Sequence, residues 1–440
     1  MKVAIIGTGY VGLSTGVCLA EIGHHVICID ISEQKINKLR EGISPIYEPG
    51  LEKLLLKNSS AGRLQFTTSH HDGLKDAEII IIAVGTPQRE DGGADLTYLE
   101  QAAYDISTYL TSDTIVVIKS TVPVGTSEYI KRTIENSNDK EINFEIVSNP
   151  EFLRQGSAIF DTMKPDRIII GSENIKAAKK VRDMYSSLKV PILFTSIRSA
   201  EMIKYASNAF LANKISFINE IANICEAVGA DVEDVAKGMG KDKRIGEAFL
   251  RPGIGYGGSC FPKDVKALVH TAKINGKKFK LLNETIAINE TQQELLVKKA
   301  LKRFGKLKGK KIAMLGLAFK PETDDMREAP SIKIANSLTK LGVKVVAYDP
   351  VAKENAHKIL GDTIQFVDSV YEAITDADAM FIVTEWEEFK QLDLVEILQK
   401  MKHPIIFDGR NCIEEEKIMQ CKAIEYYPVG RPEIVIEGPK

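Results

Sequence analysis

The chain has 440 residues, and its 58 basic and 60 acidic side chains leave a formal net charge of −2. This even balance disfavours nucleic-acid and membrane-surface binding, and the length allows two or three domains that each bury a core. The longest apolar run, AEIIIIAV, has the length of a strand, whereas a membrane span needs roughly 18 apolar residues. The six cysteines show no CxxC spacing, which favours reduced thiols over disulfides or metal ligands. Because the N-terminus also lacks the pattern of an export signal, we expect a cytoplasmic protein that binds no metal, nucleic acid or membrane.

The first motif, KVAIIGTGYVGLSTGVCLAEIGHHVICID, joins a strand, a glycine turn, a helix and a second strand. Gly7, Gly9 and Gly12 form a GxGxxG pattern, and Asp30 ends the second strand. Glycines at this spacing allow a tight turn, close approach of the backbone to a pyrophosphate and close packing of the helix on the strand. Asp30 would accept hydrogen bonds from ribose hydroxyls and repel a 2′-phosphate, so the motif predicts an NAD site. The alternative is a tight turn in some other α/β domain.

Continuous β-branched runs follow and alternate with helical stretches, at 77–87, 114–123, 144–152 and 167–171. This alternation predicts a doubly wound parallel sheet with helices on both faces. Ligands of such sheets bind beyond the carboxyl ends of the strands. The segments expected to contact a ligand are therefore 85–87, 120–121 and 149–151.

The C-terminal third repeats this pattern in three segments, at 310–320, 342–350 and 376–386. The repeat lacks GxGxxG and inserts PETDDMREAPS after its first strand, so we expect a nucleotide-type ligand there other than a second dinucleotide. The predicted fold is α/β, with two Rossmann-like, doubly wound parallel-sheet domains joined by a helical central domain. The expected domain boundaries are 1–196, 197–300 and 301–440.

From Ala200 to Val228 the sequence contains neither Gly nor Pro, and Gly229 then provides a stop signal for a helix. This length exceeds the usual range for helices of globular proteins. We therefore expect the helix to connect domains and to pair with its copy in a homodimer. Lys204 and Asn208 lie four residues apart on it and so share one face. The alternative is a solvated lysine beside a polar neighbour.

The loop GYGGSCFPKD places Cys260 among glycines and charged residues, whereas a buried structural cysteine usually lies among aliphatic residues. Lys263 and Asp264 follow, and such groups can tune a thiolate or move a proton. The preceding glycines permit unusual φ angles and close approach of a ligand. They are Gly253, Gly255, Gly257 and Gly258. The alternative is a mobile surface loop with an incidental cysteine.

The chain resembles the UDP-glucose/GDP-mannose dehydrogenase family in the motifs GTGYVG with Asp30, VGTP, STVPVGT, NPEFLRQGSA, EMIKYASNAFLANKISFINE, DKRIGEAFLRPGIGYGGSCFPKDVKAL, LGLAFKPETDDMREAPS and YDP. The resemblance extends over essentially the whole chain, and the thiol loop is similar to that of the UDP-glucose 6-dehydrogenase branch. It implies an NAD-dependent four-electron oxidation of UDP-glucose to UDP-glucuronate. In that chemistry a thiolate forms a thiohemiacetal with the C6 aldehyde and then a thioester that water cleaves.

The same resemblance implies residue roles. Cys260 would be the nucleophile. Lys204 and Asn208 would stabilise developing oxyanion charge, and Asp264 would assist proton transfer through water. The residues expected to act in catalysis are Cys260, Lys204, Asn208, Asp264, Thr121 and Glu151.

Binding roles are implied in the same way. The residues expected to contact NAD are Gly7, Gly9, Tyr10, Val11, Gly12, Asp30, Lys35, Thr86, Thr121, Glu151, Lys263 and Arg327. The residues expected to contact the nucleotide sugar are Glu151, Phe152, Leu153, Lys204, Asn208, Arg244, Phe249, Leu250, Arg251, Gly257, Cys260, Phe319 and Lys320. Arg244 resembles an arginine that reaches the sugar of the partner subunit. Gln155 stands where many members carry a carboxylate, so we assign it no catalytic role.

Two alternatives stay open at the level of sequence. GDP-mannose dehydrogenases have a similar thiol loop and N-acetylhexosamine enzymes a GGHC type, so the substrate could be GDP-mannose or a UDP-N-acetylhexosamine. The chain could also be a catalytically silent NAD-binding scaffold. Joint retention of the thiol, lysine, asparagine and aspartate disfavours a scaffold, which needs none of them.

Overall fold

A computed structural model describes residues 1–137 and 142–438. The chain divides into two compact units. The first is formed by Met1–Ser207 with Lys266–Lys277, and the second by Asn208–Val265 with Lys278–Lys440. Each unit contains one sheet in which parallel pairing dominates.

The first unit contains, across its described residues, a doubly wound sheet of eight strands. Their bounds are β1 Lys2–Ile6, β2 His25–Ile29, β3 Leu64–Thr67, β4 Ile79–Ile82, β5 Thr114–Ile118, β6 Phe144–Ser148, β7 Ile168–Gly171 and β8 Ile192–Thr195. Their order is β3-β2-β1-β4-β5-β6-β7-β8. Ile6 pairs with both Ile29 and Ile82, so β1, β2 and β4 end in one row. Neighbours are parallel except β6 and β7, which meet antiparallel at Ser148 and Gly171.

Burial on two faces explains why these segments form a parallel sheet. In β1, Val3 and Ile5 belong to one hydrophobic core, while Ala4 and Ile6 belong to another. Every residue of β4 is buried, and each isoleucine side chain removed from water contributes about 1.5–3 kcal/mol. Strands with two apolar faces need helices on both sides. These helices are α1 Tyr10–Glu21, α2 Glu33–Arg40, α3 Leu51–Ser60, α4 His70–Leu74, α5 Thr97–Tyr109, α6 Thr126–Ser137, α7 Ala158–Met163 and α8 Ile175–Met184, with a 3₁₀ turn at Ser186–Leu188.

The long helix α9 spans Ile197–Val228, so it begins slightly before the predicted start at Ala200. Gly229 follows its last residue, and its φ of 75° suits a residue without a side chain. Helix α10 (Val232–Gly240) and helix α11 (Phe261–Ile274) follow it. No helix in the described part of the chain combines the length and the hydrophobicity that crossing a membrane requires.

The second unit contains, over its described residues, a sheet of seven strands. The strands are β9 Lys311–Leu315, β10 Lys344–Tyr348, β11 Gln365–Phe366, β12 Ala379–Ile382, β13 Ile405–Asp408, β14 Ile424–Tyr427 and β15 Ile434–Ile436. They lie in the order β11-β10-β9-β12-β13-β14-β15, and β15 is antiparallel to β14. Ile312 and Met314 of β9 face one core, and Ala313 and Leu315 face another. The remaining helices are α12 Lys280–Gln292, α13 Leu295–Phe304, α14 Pro330–Lys340, α15 Lys353–Leu360, α16 Val370–Ile374, α17 Glu387–Lys390, α18 Leu394–Lys400 and α19 Glu415–Met419, with a 3₁₀ turn at Gly361–Thr363.

The predicted fold class is confirmed. Both Rossmann-like sheets are present, and the segments that repeat the N-terminal pattern are β9, β10 and β12. The strand prediction omits β3, β8, β11 and β13–β15, and the two antiparallel pairs depart from a purely parallel arrangement. The omitted edge strands β3, β8, β11 and β15 are short and partly exposed, so they lack the continuous apolar signal of a central strand. The interior strand β13 is buried throughout, so this reason does not explain its omission.

Candidate active site

The GxGxxG motif forms the turn between β1 and α1. A Cβ added to Gly7, whose φ is +99°, would lie 2.8 Å from the Ala83 carbonyl oxygen, and one added to Gly12 would lie 2.0 Å from the Gly7 oxygen. Packing within the chain therefore requires glycine at both positions. Apart from its chain neighbours, no atom of the described residues lies within 4 Å of a Cβ built on Gly9. The open space beside Gly9 would let a phosphate group approach the backbone closely.

The same turn starts a helix that can hold an anion. Tyr10, Val11 and Gly12 form the first turn of α1, and the Leu13 amide donates to the Gly9 carbonyl. First-turn amides point outward along the helix axis, where the helix dipole is positive. In Rossmann-like sheets this arrangement binds the pyrophosphate of a dinucleotide.

Asp30 carries a negative charge at the end of β2. Its Oδ2 accepts from the Thr8 amide at 3.0 Å and the Thr8 hydroxyl at 2.7 Å, and its Oδ1 accepts from the Ser32 amide at 3.0 Å. Lys35 Nζ lies 3.5 Å from Oδ2. Burial opposes ionisation of Asp30, but these hydrogen bonds and Lys35 outweigh it and lower the pKa. The carboxylate keeps capacity on Oδ1 for a further donor such as a ribose hydroxyl.

The loops that follow β4 and β5 are tied together at one edge of the sheet. The Thr86 hydroxyl donates to the Thr121 carbonyl at 2.8 Å, and the Ser120 hydroxyl donates to the Val84 carbonyl at 2.7 Å. Thr86 and Ser120 are buried, whereas Thr121 is partly exposed. Two of the loops expected to contact a ligand thus lie side by side.

Glu151 and Lys204 form a buried ion pair in the first unit. Glu151 Oε1 and Lys204 Nζ lie 3.1 Å apart, and the side chains are 5% and 4% exposed. The Leu153 amide donates to Glu151 Oε2 at 2.8 Å. The Phe152 ring lies beneath two cations, Lys204 at 5.3 Å and Arg167 at 3.9 Å from its centroid. This cluster sets an ammonium donor beside a carboxylate acceptor, a combination that can bind a sugar hydroxyl or stabilise an oxyanion.

The buried charged residues of the first unit that the sequence analysis missed include Glu48, Lys119 and Glu201. Glu48 accepts from the Gly156 amide at 2.8 Å and the Ala158 amide at 2.6 Å, so it holds the turn that contains the buried Gln155. Lys119 directly follows β5 and is buried. A lysine that ends an apolar run at the ligand edge of a sheet is a usable signal for Lys119. Glu48 lies in an irregular loop, where the sequence gives no such signal.

Cys260 lies in the second unit, immediately before α11. Its carbonyl accepts from the Asp264 amide at 2.9 Å, which closes the first helical turn. The Asp264 carboxylate is buried and accepts from Asn208 Nδ2 at 2.6 Å and from Lys263 Nζ at 2.7 Å. Cys260 is partly exposed, with Sγ 3.7 Å from the Ser259 hydroxyl. A thiol thus sits at a helix N-terminus, which favours negative charge, and a fixed carboxylate lies one turn further along.

The glycines before Cys260 bring the loop into close contact with the segment after β9. A Cβ on Gly257 would lie 2.2 Å from the Glu328 carbonyl oxygen, and one on Gly258, whose φ is +85°, would lie 2.7 Å from the Phe319 ring. The Gly258 amide also donates to the Arg327 carbonyl at 2.8 Å. Contact within the second unit is therefore a sufficient reason for both glycines, and a sugar contact at Gly257 stays a prediction.

The other residues of the second unit that were predicted to contact a ligand lie in two segments. The first segment follows β9. Phe319 supports the thiol loop, and Lys320 Nζ lies 5.7 Å from the Phe319 ring centroid. Arg327 makes a two-pronged contact to Asp325, at 2.8 and 2.6 Å.

The segment between α10 and the thiol loop contains the remaining predicted contacts. Leu250 is buried, and Phe249 adopts a φ of 64°. Arg251 is exposed, and so is Arg244, whose guanidinium pairs with Asp242. The structure therefore leaves these two arginines on the surface of their own unit.

The second sheet has an acidic residue at the end of β10, but both of its carboxylate oxygens already accept hydrogen bonds from the chain. Asp349 Oδ2 accepts from the amides of Leu317 and Ala318 at 2.7 and 3.1 Å and from the Trp386 indole at 3.2 Å. Its Oδ1 accepts from two further amides, at 3.0 and 2.8 Å. Little capacity is left for a ribose. Within residues 1–137 and 142–438, no group of three or more His, Cys, Asp or Glu side chains could hold a metal ion.

Comparison with known proteins identifies relatives along the whole chain. Models of the UDP-glucose/GDP-mannose dehydrogenase family match in three segments: the NAD binding domain at 1–189, the central domain at 198–291 and the UDP binding domain at 313–415. The first match confirms NAD as the predicted cofactor of the GxGxxG motif.

Individual relatives and solved structures agree with these family matches. The chain is 53% identical over 438 residues to the UDP-glucose 6-dehydrogenase YwqF of Bacillus subtilis, covering 100% of this chain and 99% of that protein. A UDP-glucose dehydrogenase from the hyperthermophilic archaeon Pyrobaculum islandicum superimposes with a TM-score of 0.92 at 37% identity, covering 98% of each chain. A UDP-D-ManNAc dehydrogenase from Pyrococcus horikoshii has a TM-score of 0.86 at 32% identity, covering 98% of this chain and 99% of that one.

Replacing Asp30 should weaken discrimination between NAD and NADP. We expect Asp30→Ala to bind NAD about ten- to hundredfold more weakly, because hydrogen bonds to a charged acceptor contribute about 1.5–3 kcal/mol, and to bind NADP more tightly with Lys35 still present. Calorimetric titration with each dinucleotide measures both effects. Glu33→Ala, which removes a nearby exposed acid, should keep the wild-type preference. Equal affinity of the wild type for NAD and NADP would contradict the role given to Asp30.

Proposed function

The chain belongs to the UDP-glucose/GDP-mannose dehydrogenase family, and we propose that it oxidises UDP-glucose to UDP-glucuronate with NAD. The observation that carries this proposal is the thiol loop. Cys260 begins α11, and Asp264 is held one turn later by Asn208 and Lys263. A protein that only binds NAD has no use for this set. The names of the relatives with high identity favour UDP-glucose among the nucleotide sugars.

The proposed reaction removes four electrons from one carbon atom. One primary alcohol, one water and two NAD give one carboxylate, two NADH and three protons. NAD supplies the hydride acceptor when it is bound beside Gly9 and Asp30. The chain must retain the aldehyde between the two oxidations, and a covalent bond to a thiol achieves this.

Cys260 forms that covalent bond in the proposed mechanism. Its Sγ adds to C6 of the aldehyde, and the carbonyl oxygen becomes the hydroxyl of a thiohemiacetal. Loss of a hydride and a proton gives a thioester. Water then attacks the thioester carbon, the C–S bond breaks, and the carboxylate and the free thiol are released. Asp264 takes up a proton in these steps, and the second Nδ2 proton of Asn208 stabilises the oxyanion.

Residues of the first unit supply the other groups of the proposal. Lys204 stabilises negative charge on the sugar oxygen. Glu151 holds Lys204 in place and takes part in the aldehyde and thioester steps. Thr121 orients the water. We assign NAD binding to residues 1–196, dimerisation and the thiol to residues 197–300, and UDP binding to residues 301–440. We also propose that the enzyme is cytoplasmic.

The other thiols of the chain support the choice of Cys260. All six cysteines lie in the described residues and are free. Burial raises the pKa of the other five, to about 12 for Cys18 and Cys28. A thiol with a raised pKa stays protonated at neutral pH and is a poor nucleophile.

Substrate choice can be tested with a panel of nucleotide sugars. We expect two NADH per sugar from UDP-glucose, followed by absorbance, and at least about tenfold lower kcat/KM with GDP-mannose and UDP-N-acetylmannosamine. A preference for GDP-mannose or UDP-N-acetylmannosamine would make that sugar the substrate in place of UDP-glucose and leave the proposed reaction chemistry unchanged. Absence of NADH with every sugar would favour the silent scaffold.

Variants of Cys260 test the covalent mechanism. Cys260→Ala should bind UDP-glucose and NAD but lose turnover by at least about a thousandfold, since the aldehyde has no nucleophile to hold it. Cys260→Ser should trap a sugar ester, detected by intact-protein mass, because water cleaves an ester more slowly than a thioester. Cys412→Ala, which removes another partly exposed cysteine, is the control and should turn over normally. Formation of UDP-glucuronate by Cys260→Ala at close to the wild-type rate would rule out the thiol.

We also propose that α9 forms a homodimer with its copy. Phe210, Phe217 and Ile224 recur every seven residues and are 64%, 46% and 57% exposed, and Val228 one turn later is 71% exposed. A seven-residue apolar repeat is the pattern by which two helices pack along their length. The same stripe on two copies is self-complementary, as a two-fold interface requires.

Charge placed on this stripe should separate the subunits. We expect the wild type to sediment as a dimer at micromolar concentration and Phe210→Glu/Phe217→Glu as a monomer, because burying two carboxylates per subunit in an apolar interface is unfavourable. The melting temperature of each subunit's core should change little, since both side chains are exposed. Met419→Glu, at an exposed apolar site on α19, is the control and should stay dimeric. A dimer that survives the double substitution would move the interface elsewhere.

A further inference from the structure

Lys119 is a buried lysine that the proposed chemistry does not use. It is 7% exposed, and its Nζ donates to Asn149 Oδ1 at 3.3 Å and to the Tyr185 hydroxyl at 3.5 Å. That hydroxyl itself donates to Asn149 Oδ1 at 2.7 Å. Among the residues that the structure describes, no carboxylate lies at ion-pair distance from Lys119. Two donors therefore converge on one oxygen of Asn149.

Asn149 connects this lysine to the turn that carries Glu151. Its amide donates to the Ile118 carbonyl at 2.9 Å and its Nδ2 to the Ile169 carbonyl at 2.8 Å, so it is fixed to both neighbouring strands. Glu151 follows two residues later and forms the ion pair with Lys204. The position of Asn149 therefore sets the starting point of the turn that presents the pair.

The cluster holds more positive than negative charge. The ionisable groups that act on Lys119 are Tyr185, Glu151 and Lys204. Burial raises the pKa of Tyr185, so its hydroxyl is neutral. Burial lowers the pKa of Lys119 to about 8, with Glu151 acting against this shift and Lys204 adding to it. One buried carboxylate thus faces two buried amines, and a further negative charge near them is favoured.

We propose that Lys119 is a positioning residue that fixes the Asn149–Glu151 turn and adds a second positive charge near the Glu151–Lys204 pair, which strengthens the stabilisation of negative charge on the reacting sugar. The inference rests on the proposed oxidation. Because that charge develops during the reaction, loss of the Lys119 proton reduces turnover more than it reduces substrate binding.

Lys119→Met tests this role, because methionine keeps an unbranched side chain in the buried site and removes the charge. We expect wild-type kcat to fall as pH rises through about 8. At pH 7 the variant should show about tenfold lower kcat, because a charge interaction equivalent to one pKa unit changes a rate about tenfold. The kcat of the variant should not fall near pH 8. Its KM for UDP-glucose should change less than about twofold.

Tyr185→Phe is the matched control, since it removes the other donor to Asn149 Oδ1 and keeps the charge of Lys119. It should retain the wild-type fall in kcat near pH 8. If Lys119→Met also retains that fall, or if both variants lose kcat equally with the same pH profile, Lys119 has no electrostatic role and the inference is overturned.

A measurement without turnover separates this inference from the proposed function. The folded protein releases the Lys119 proton near pH 8, whereas the unfolded chain releases it near 10.5. The unfolded state therefore binds more protons between these values, and wild-type stability should rise relative to Lys119→Met as pH increases across that window. Parallel melting temperatures of the two proteins from pH 7 to 10 would overturn the inference. Inactivity of the wild type toward every sugar would instead contradict the proposed oxidation.

Discussion

The close contact between the thiol loop and the segment after β9 is the constraint on which the placement of the Cys260 thiol depends. Without Cβ atoms at Gly257 and Gly258, the loop lies directly on the Glu328 carbonyl and the Phe319 ring. This contact fixes where α11 starts, and with it the placement of Cys260 at a helix N-terminus. Asp264 then falls one turn later, where Asn208 and Lys263 hold it. The PETDDMREAPS insertion therefore supports the loop that carries the Cys260 thiol, in addition to any nucleotide contact that it makes.

Local constraints explain how much of the fold and site is predictable from sequence. Gly7 and Gly12 are required by contacts within a few residues or one neighbouring strand, and such short-range requirements leave a recognisable pattern. Central strands such as β4 are apolar throughout because both faces are buried. By contrast, Lys119 owes its role to Asn149 and Tyr185, which lie 30 and 66 residues away. The end of the apolar run can draw attention to Lys119 itself, but side-chain contacts over such separations have no signature in a single sequence.

The two strand-end acids show how one topological position serves two purposes. Asp30 and Asp349 both follow the second strand of a doubly wound sheet. Asp30 is held by Thr8 and Ser32 with acceptor capacity left, whereas Asp349 accepts five hydrogen bonds from the chain itself. The first acid can therefore meet a ligand, while the second stabilises the turn between β9 and the inserted segment. The same fold thus carries a dinucleotide motif in one copy and a structural acid in the other.

The environments of the six thiols also bear on their reaction with added electrophiles. Burial raises the pKa of five of them, which keeps these thiols protonated at neutral pH. An electrophilic probe or inhibitor that enters the thiol loop therefore meets little competition from elsewhere in the chain. Titration with such a reagent would measure the number of reactive Cys260 thiols in a preparation. A nucleotide-sugar analogue that carries an electrophile would be selective because the other five thiols are protonated.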